Sequence, residues 1–510
     1  MRIGDERSPL TARWVGRGWS LDLCALVAGA VMVLAYAPFS WRPLSVLALA
    51  AALAIWLVSA PRRALFRGLW FGVGLFGVGI SWVYNSLHDF GAAPPLVAGI
   101  GTAGLVLIMA LFPAVLAWSV AFLRGRGASI GSTALLWFPG ALTLLEWGRE
   151  HFFGGFPWMA PAYTALDTPL AGWAPVAGPA GLNLATALLA GAVTTLVAGP
   201  GRRARLVAAG LVLVPPLSGI VLQGREWTEP AGDSIEVAMV QGNVPQDLKW
   251  RPEWRQRTLR AYAELTMAAP ATGLVLWPET AVPAYLDLLD DYTSALVELV
   301  ANRGGSLLIG APTRDSQDRA FNSLVALGAD GDAYHKHHLV PFGEYIPLRP
   351  LVESLGGLVQ IPMSDFSSGP ADQPPLSIAG IQIGASICFE VVFPDLVRRQ
   401  LPQAQLLVNV SNDAWFGDSL APHQHLEMAR MRALETGRYL LRATNNGISA
   451  VLAPTGAIVQ RSAQFEAQVL TGTATPYQGA TPFVRWGQWP ALALATVLVA
   501  LGWRSRWLNC

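Results

Sequence analysis

Long apolar runs, almost free of charge, limit what this chain can fold into. They lie at roughly 21–38, 44–60, 68–84, 96–123, 131–148, 181–200, 205–222 and 486–503. A helix needs about 20 apolar residues to cross the hydrocarbon of a bilayer. Several runs fall short of that, notably the second and the last. The pattern predicts a multi-span α-helical membrane domain of about eight helices, seven within 1–222 and one within 486–510. Between them, residues 223–485 hold most of the Asp, Glu and His and carry ordinary globular patterning. The whole chain is 53% hydrophobic and 14% charged, well below the charge of a soluble protein. Its 20 tryptophans suit a membrane interface. The first run is too long, and too closely followed by others, for a cleaved signal peptide.

Orientation follows from the loops, because Lys and Arg in short loops stay cytoplasmic. One set of loops holds Arg2, Arg7, Arg13, Arg17, Arg62, Arg63, Arg67, Arg124, Arg126, Arg202, Arg203, Arg205, Arg504 and Arg506. The alternate short loops hold only Arg42 and Arg149, a bias of fourteen to two. Both termini are therefore expected in the cytoplasm and the 223–485 domain outside. A net charge of +1 gives no reason to expect a nucleic-acid partner. A monomer is the default expectation.

The stretch "EWGREHFFGGFPWMAPAY", Glu146–Tyr163, is rich in aromatics, Gly and Pro. The plain reading is an aromatic belt at the membrane surface. The sharper one is a lipid-handling arm, with Arg149, His151, Phe156 and Trp158 as candidate lipid-binding residues.

Within 223–485, runs such as "IEVAMVQGNV" (235–244), "TGLVLWPET" (272–280), "GSLLIGAP" (305–312), "IQIGASICFE" (381–390) and "QLLVNVSND" (405–413) read as strands. Helical patterns at about 252–268, 290–303 and 421–438 alternate with them. That order predicts a layered α/β domain with ligand sites at the strand ends. Glu279, Cys388 and Asn412 sit at such ends. Cys388 is a candidate nucleophile, and a thiol with a pKa near 8.5 needs a base or a cation to react as thiolate. Glu279 is the candidate base and Lys336 the candidate stabiliser of developing negative charge. Glu344 and Glu390 are further carboxylates nearby. Taken singly, each residue has a bland explanation: packing for the cysteine, solvation for the others. His337, His338, His423 and His425 leave a Cys–His dyad open. With one cysteine in the domain and no Cys-x-x-Cys pair, neither a disulfide framework nor a zinc site is expected.

The order "WPET", "HKHHLVPFGEYIP", "CFE", "SNDAWFG" resembles the Glu–Lys–Cys pattern of the nitrilase (carbon–nitrogen hydrolase) superfamily. Within it, "HLVPFGEYIP", "SNDAWFGDSLAPHQHLEMARMRALETGR" and "GFPW" are similar to the apolipoprotein N-acyltransferase family. The resemblance implies an αββα sandwich outside the membrane, with Glu279 as base, Lys336 as charge stabiliser and Cys388 as nucleophile. It implies accessory roles for Glu344, Glu390, Phe389, Asn412 and Trp415. The family usually has Tyr where this chain has Phe389, so any part played by that hydroxyl is lost. "TNNG" at 444–447 stands where the family often reads "TNTG".

The implied reaction is ping-pong transfer of a fatty acyl chain. It passes from the sn-1 position of a phospholipid, through a Cys388 thioester, to the α-amino group of a diacylglyceryl-cysteine on an apolipoprotein. The implied setting is a bacterial inner membrane with a periplasmic catalytic domain, and no metal or cofactor is called for. A base serving first a thiol and then an ammonium is expected to have a raised pKa, so Glu279 should lie above a free Glu. Two rivals remain at this level. One is a membrane-tethered amidase using the same three residues. The other is a catalytically silent lipoprotein receptor, which the presence of all three residues opposes.

Overall fold

The computed structural model describes residues 18–199, 201–328, 332–341, 343–345 and 365–505. Arg2, Arg7, Arg13, Arg17 and Arg506 lie outside these residues. The chain forms two compact units. One holds the residues up to Ser81, Gly99–Arg225 and those from Gln488 on; the other holds Trp82–Ala98 and Glu226–Gly487.

The first unit is helical. All eight apolar runs contain helix, but among the described residues four segments are long and apolar enough to cross a bilayer: Gly18–Ala35, Pro95–Gly125, Pro169–Ala198 and Arg202–Gln223. Pro61–Gly79 with Val83–Phe90 makes a fifth if counted as one broken span. The expected eight spans are therefore not confirmed. Length is one reason. Pro43–Leu57 has 15 residues and Trp489–Arg504 has 16. At 1.5 Å per residue each covers only about 22–24 Å of a roughly 30 Å core. Helix is continuous from Ile130 to His151, but its last turns carry Glu146, Arg149 and Glu150.

The apolar surface of this unit fits lipid rather than water. On Arg202–Gln223, the side chains of Leu206, Leu213, Val214, Leu217 and Val221 are all more than half exposed. Where helices meet, small residues carry the contact. A Cβ on Gly29 would fall 1.9 Å from the Phe71 carbonyl oxygen, and one on Gly74 2.1 Å from that of Leu26. Backbones that close suit association in lipid, where apolar burial between helices gains little and close packing must serve instead.

The second unit is a two-sheet sandwich. We number its strands β1 (Ile235–Gln241), β2 (Leu274–Leu276), β3 (Ser306–Arg314), β4 (Ala320–Leu327), β5 (Ala333–His335), β6 (Leu376–Ile378), β7 (Ile381–Ile387), β8 (Leu406–Ser411), β9 (Leu440–Thr444), β10 (Ala450–Leu452), β11 (Ile458–Arg461) and β12 (Gln468–Ala474). The first sheet runs β12-β1-β2-β3-β4-β5 and the second β11-β10-β9-β8-β7-β6. β1, β2 and β3 are parallel, as are β7, β8 and β9.

Strand periodicity of two builds the layers. Val237, Met239, Leu274, Leu276, Ile383, Ile387, Val408, Val410 and Leu441 form the core between the sheets. On the opposite face of the first sheet, Ala238, Val240, Val275, Leu307 and Ile309 pack under Leu259 and Tyr262 of helix Pro252–Ala268 and Leu296 and Val300 of helix Asp290–Ala301. Helix Ala421–Thr436, buried along nearly all its length, packs beside β9. The result is the expected αββα order. Segment Trp82–Ala98 groups with this sandwich, although its sequence position is among the apolar runs. It meets the turn after β8. The Ser86 hydroxyl donates to the Trp415 carbonyl at 2.7 Å, and the Trp82 and Phe416 rings meet edge-on at 4.7 Å.

Candidate active site

The parallel strands end on one side, and the sequence-named polar residues follow those ends. Glu279 comes three residues after β2, Lys336 directly after β5, Cys388 directly after β7, and Asn412 directly after β8. The structure brings Glu279, Lys336 and Glu344 into contact. Lys336 Nζ lies 3.2 Å from Glu279 Oε1 and 2.9 Å from the Glu344 carboxylate. Asn322 Nδ2 donates to both carboxylates at 2.8 Å. The second Glu279 oxygen accepts the Asn412 backbone N–H at 2.8 Å. Glu344 also accepts the Val340 N–H at 2.9 Å, which ties the lysine's own loop to it.

Cys388 opens a tight turn at φ +52°, a left-handed conformation that costs a non-glycine residue energy and is held only where its surroundings fix it. Its side chain is half-buried and a free thiol. Burial pushes the thiol above its ordinary pKa, and Glu279 pushes it further, while Lys336 pulls the other way. Burial alone would also raise Glu279, but Lys336, Asn322, the Asn412 N–H and Lys249 together hold it below the usual carboxylate value. This corrects the expectation of a raised Glu279. That expectation counted burial and not the cations and donors that folding gathers around the carboxylate. Burial disfavours charge on Lys336 too, yet Glu279 and Glu344 outweigh it and hold its pKa well above that of a free lysine. The resting arrangement is thus a neutral thiol facing an ionised carboxylate and an ammonium. A base already ionised can take the thiol's proton once an electrophile draws on the sulfur.

Glu390 is fully buried and serves backbone rather than chemistry. Its carboxylate accepts the N–H groups of Ile387, His337 and His338 at 2.7, 2.8 and 3.0 Å, and the Tyr334 hydroxyl at 3.0 Å. It therefore joins the Lys336 loop to the Cys388 turn. Burial lifts its pKa to about 7 against the pull of those donors. The Phe389 ring packs edge-on against Phe393 at 5.2 Å and near His338 at 6.1 Å. Asn412 also bonds Gln246 at 2.7 Å and Asn445 at 3.1 Å. Trp415 faces the Trp82–Ala98 segment, with its ring 6.3 Å from Phe90.

The candidate lipid residues lie in the helical unit. Arg149 is buried: its guanidinium donates to the Trp158 carbonyl at 2.7 Å, to the Phe156 carbonyl and to Glu146. It braces its own loop from within. His151 is exposed, with Nδ1 2.8 Å from the Trp147 carbonyl. Phe156 and Trp158 stack at 6.0 Å.

Sequence reasoning missed several residues. Lys249 is 1% exposed, its Nζ donating to Thr280 Oγ1 at 2.6 Å and to the Glu279 carbonyl at 3.3 Å. Burial lowers its pKa to about 8 although Glu279 and Cys388 favour its charge. Nothing in "QDLKW" separates it from a surface lysine. Asn322, in mid-strand β4, had one available signal, an amide inside an apolar run. The Cys–His dyad left open does not form through His425. Its Nε2 lies 3.2 Å from the Cys388 backbone oxygen.

The carbon-nitrogen hydrolase family profile matches residues 236–480, and that of the apolipoprotein N-acyltransferase N-terminal domain matches 28–192. The apolipoprotein N-acyltransferase of Azotobacter vinelandii is 44% identical over 96% of this chain and 96% of its own length. That of Methylococcus capsulatus is 42% identical over 96% of each. Among solved structures, the NitFhit protein of C. elegans aligns at 20% identity with a TM-score of 0.38, over 52% of this chain and 63% of its own.

Proposed function

This chain belongs to the apolipoprotein N-acyltransferase family, and we propose that its acyl transfer runs through a thioester on Cys388. The enzyme is an acyltransferase with a nitrilase-like catalytic sandwich and a membrane helical part. In our reading Cys388 is the nucleophile, Glu279 the base and Lys336 the cation that meets the oxyanion. Glu344 orients Lys336, and Glu390 joins its loop to the nucleophile turn. Glu279 takes the thiol proton as sulfur attacks the sn-1 ester carbonyl of a phospholipid. The tetrahedral intermediate collapses, the glycerol oxygen leaves with the proton from Glu279, and a lysophospholipid departs. The free α-amino group of a diacylated apolipoprotein then attacks the thioester. Its proton passes by way of Glu279 to the leaving sulfur, which restores the thiol and leaves an amide.

The observation that carries this reading is a neutral thiol on a strained turn, acted on by both an ionised Glu279 and a charged Lys336. We further propose domain borders at 222 and 486, cytoplasmic termini, an outward-facing catalytic domain in a bacterial inner membrane, and a monomer. The loop around exposed His151 and half-buried Phe156 is our candidate for lipid contact; Trp158, expected to bind lipid, is fully buried and, like Arg149, supports the loop from within.

The test is intact mass after incubation with phospholipid, before and after neutral hydroxylamine. A fatty-acyl increment that hydroxylamine removes and Cys388→Ala lacks is expected. An active enzyme bearing its acyl group elsewhere, or an active Cys388→Ala, overturns the reading.

A further inference from the structure

The register of the second sheet sets a polar row across its outer face. Ser386, Asn409 and Arg442 are partners on β7, β8 and β9. The row before it is Gly384, Leu407 and Leu440, and the row after it pairs Ser411 with Thr444. Polarity therefore rises toward the strand ends that carry the site. Arg442 is 0% exposed and finds its charge partner in Asp413, also buried, with Nη2 at 2.9 and 3.0 Å from the two carboxylate oxygens. Burial, the largest influence, opposes ionisation of Asp413, but Arg442, His425 and Ser411 together outweigh it and hold the carboxyl well below its usual range.

Three neutral side chains lead from this pair to the nucleophile. Arg442 Nη1 donates to Asn409 Oδ1, and Asn409 Nδ2 lies 3.4 Å from the Cys388 carbonyl oxygen. Arg442 Nη2 lies 2.9 Å from His425 Nδ1, and His425 Nε2 lies 3.2 Å from the same carbonyl. A carbonyl can only accept, so His425 Nε2 carries a proton; Nδ1 sits between Arg442 Nη2 at 2.9 Å and Asp413 Oδ1 at 3.3 Å, and because burial and Arg442 disfavour a charged ring it accepts from Arg442. Ser411 donates to Asp413 Oδ1 at 2.8 Å, and its hydroxyl is close enough to the Cys388 thiol to pull the thiol's pKa down. The pair also touches the base side, since Asn412, whose N–H holds Glu279, is bonded in the chain between Ser411 and Asp413.

We propose that His425 is a positioning residue for the nucleophile. With Asn409 and Ser411 it carries the fixed geometry of the buried Arg442–Asp413 pair to Cys388, keeping the thiol on its strained turn and aimed at the acyl carbonyl. A turn at φ +52° relaxes unless its carbonyl is held. A carbonyl gripped by two donors, each fixed from behind, is held in direction as well as distance. Gly447 leaves room for this, since a Cβ there would lie 2.3 Å from Asp413 Oδ2. This inference rests on Cys388 being the nucleophile.

The experiment compares acyl-enzyme formation and turnover in His425→Leu, His425→Gln and Cys388→Ala of the full chain, with thermal melts of each. Leu leaves the carbonyl without its histidine donor. Gln places its Nε2 at about the reach of the imidazole Nε2. His425→Leu is expected to lower kcat roughly 10- to 100-fold with little change in KM for phospholipid, and His425→Gln to recover most of it. Wild-type turnover in His425→Leu overturns the inference, as does a folded His425→Gln as slow as the leucine variant. If His425→Leu does not fold, Ser411→Ala decides by loss of one oxygen: slowed acylation supports the inference and a wild-type rate overturns it. Turnover by Cys388→Ala would instead sink the nucleophile assignment itself.

Discussion

The outer faces of the two sheets solve one problem in opposite ways. On the first sheet, Val240, Val275, Leu307 and Ile309 meet Leu259, Leu296 and Val300 across an apolar contact. On the second, Asn409, Ser411 and Arg442 are just as buried, beside His425 and Asp413. Apolar burial of the first kind is stabilising by area alone, at about 25 cal/mol per Å². A buried ion pair is close to neutral against apolar residues of the same shape, because desolvation cancels much of its attraction. Sites are therefore placed where stability gains least: the second sheet gives up an apolar face to hold Cys388. The first sheet supplies Glu279 and Lys336 from the ends of β2 and β5 and keeps its own outer face for packing.

That contrast can be broken most severely at the ion pair. Arg442→Met strands the Asp413 charge and should destabilise the sandwich by about 3–5 kcal/mol, read as a lower melting temperature together with lost turnover. The double variant Arg442→Met with Asp413→Leu should regain most of that stability but little activity. Recovery of both would mean the charges do not serve the site. On the first sheet, Ile309→Val should cost about 0.5–1.5 kcal/mol and leave turnover per folded molecule unchanged; a specific loss of kcat there would erase the distinction between the faces.

The protonation states give two smaller effects. Because Cys388 is raised, its alkylation by iodoacetamide, measured in a Cys24→Ser, Cys510→Ser background, should keep rising with pH beyond 8.5. A plateau below pH 8 would instead indicate a standing thiolate paired with Lys336. Because Glu279 is lowered, the base is already ionised at neutral pH and loses its charge only as pH falls below about 4.5. Acyl-enzyme formation should therefore be flat in this residue's titration from pH 7 to 5. An acid limb that Glu279→Gln removes, centred above pH 6, would contradict the arrangement around the carboxylate.

Much of the site was readable as residue types after strand-like runs. "LVLWPET" and "IQIGASICFE" end strands, and although each ionisable residue there has a bland explanation singly, their joint pattern points to a site. Glu390 was visible as a carboxylate near the nucleophile, but its partners are backbone N–H groups of Ile387, His337 and His338, which no side-chain pattern reveals. Lys249 and Arg442 carried no signal, since a buried cation and a surface cation share one letter. The eight expected spans are not confirmed, because apolar composition along the chain does not fix how long and how unbroken each helix is.

Sequence by itself determined the division into apolar runs and a polar insert, the period-two strands, and the three residue types of the proposed site. These follow from local chemistry and spacing along the chain. Tertiary structure decided the protonation of Glu279, the grip of Arg442 and Asp413 on Cys388, and the grouping of Trp82–Ala98 with the sandwich. Each depends on distances between residues tens to hundreds of positions apart, and a charge takes its pKa from those distances and from the water that folding excludes.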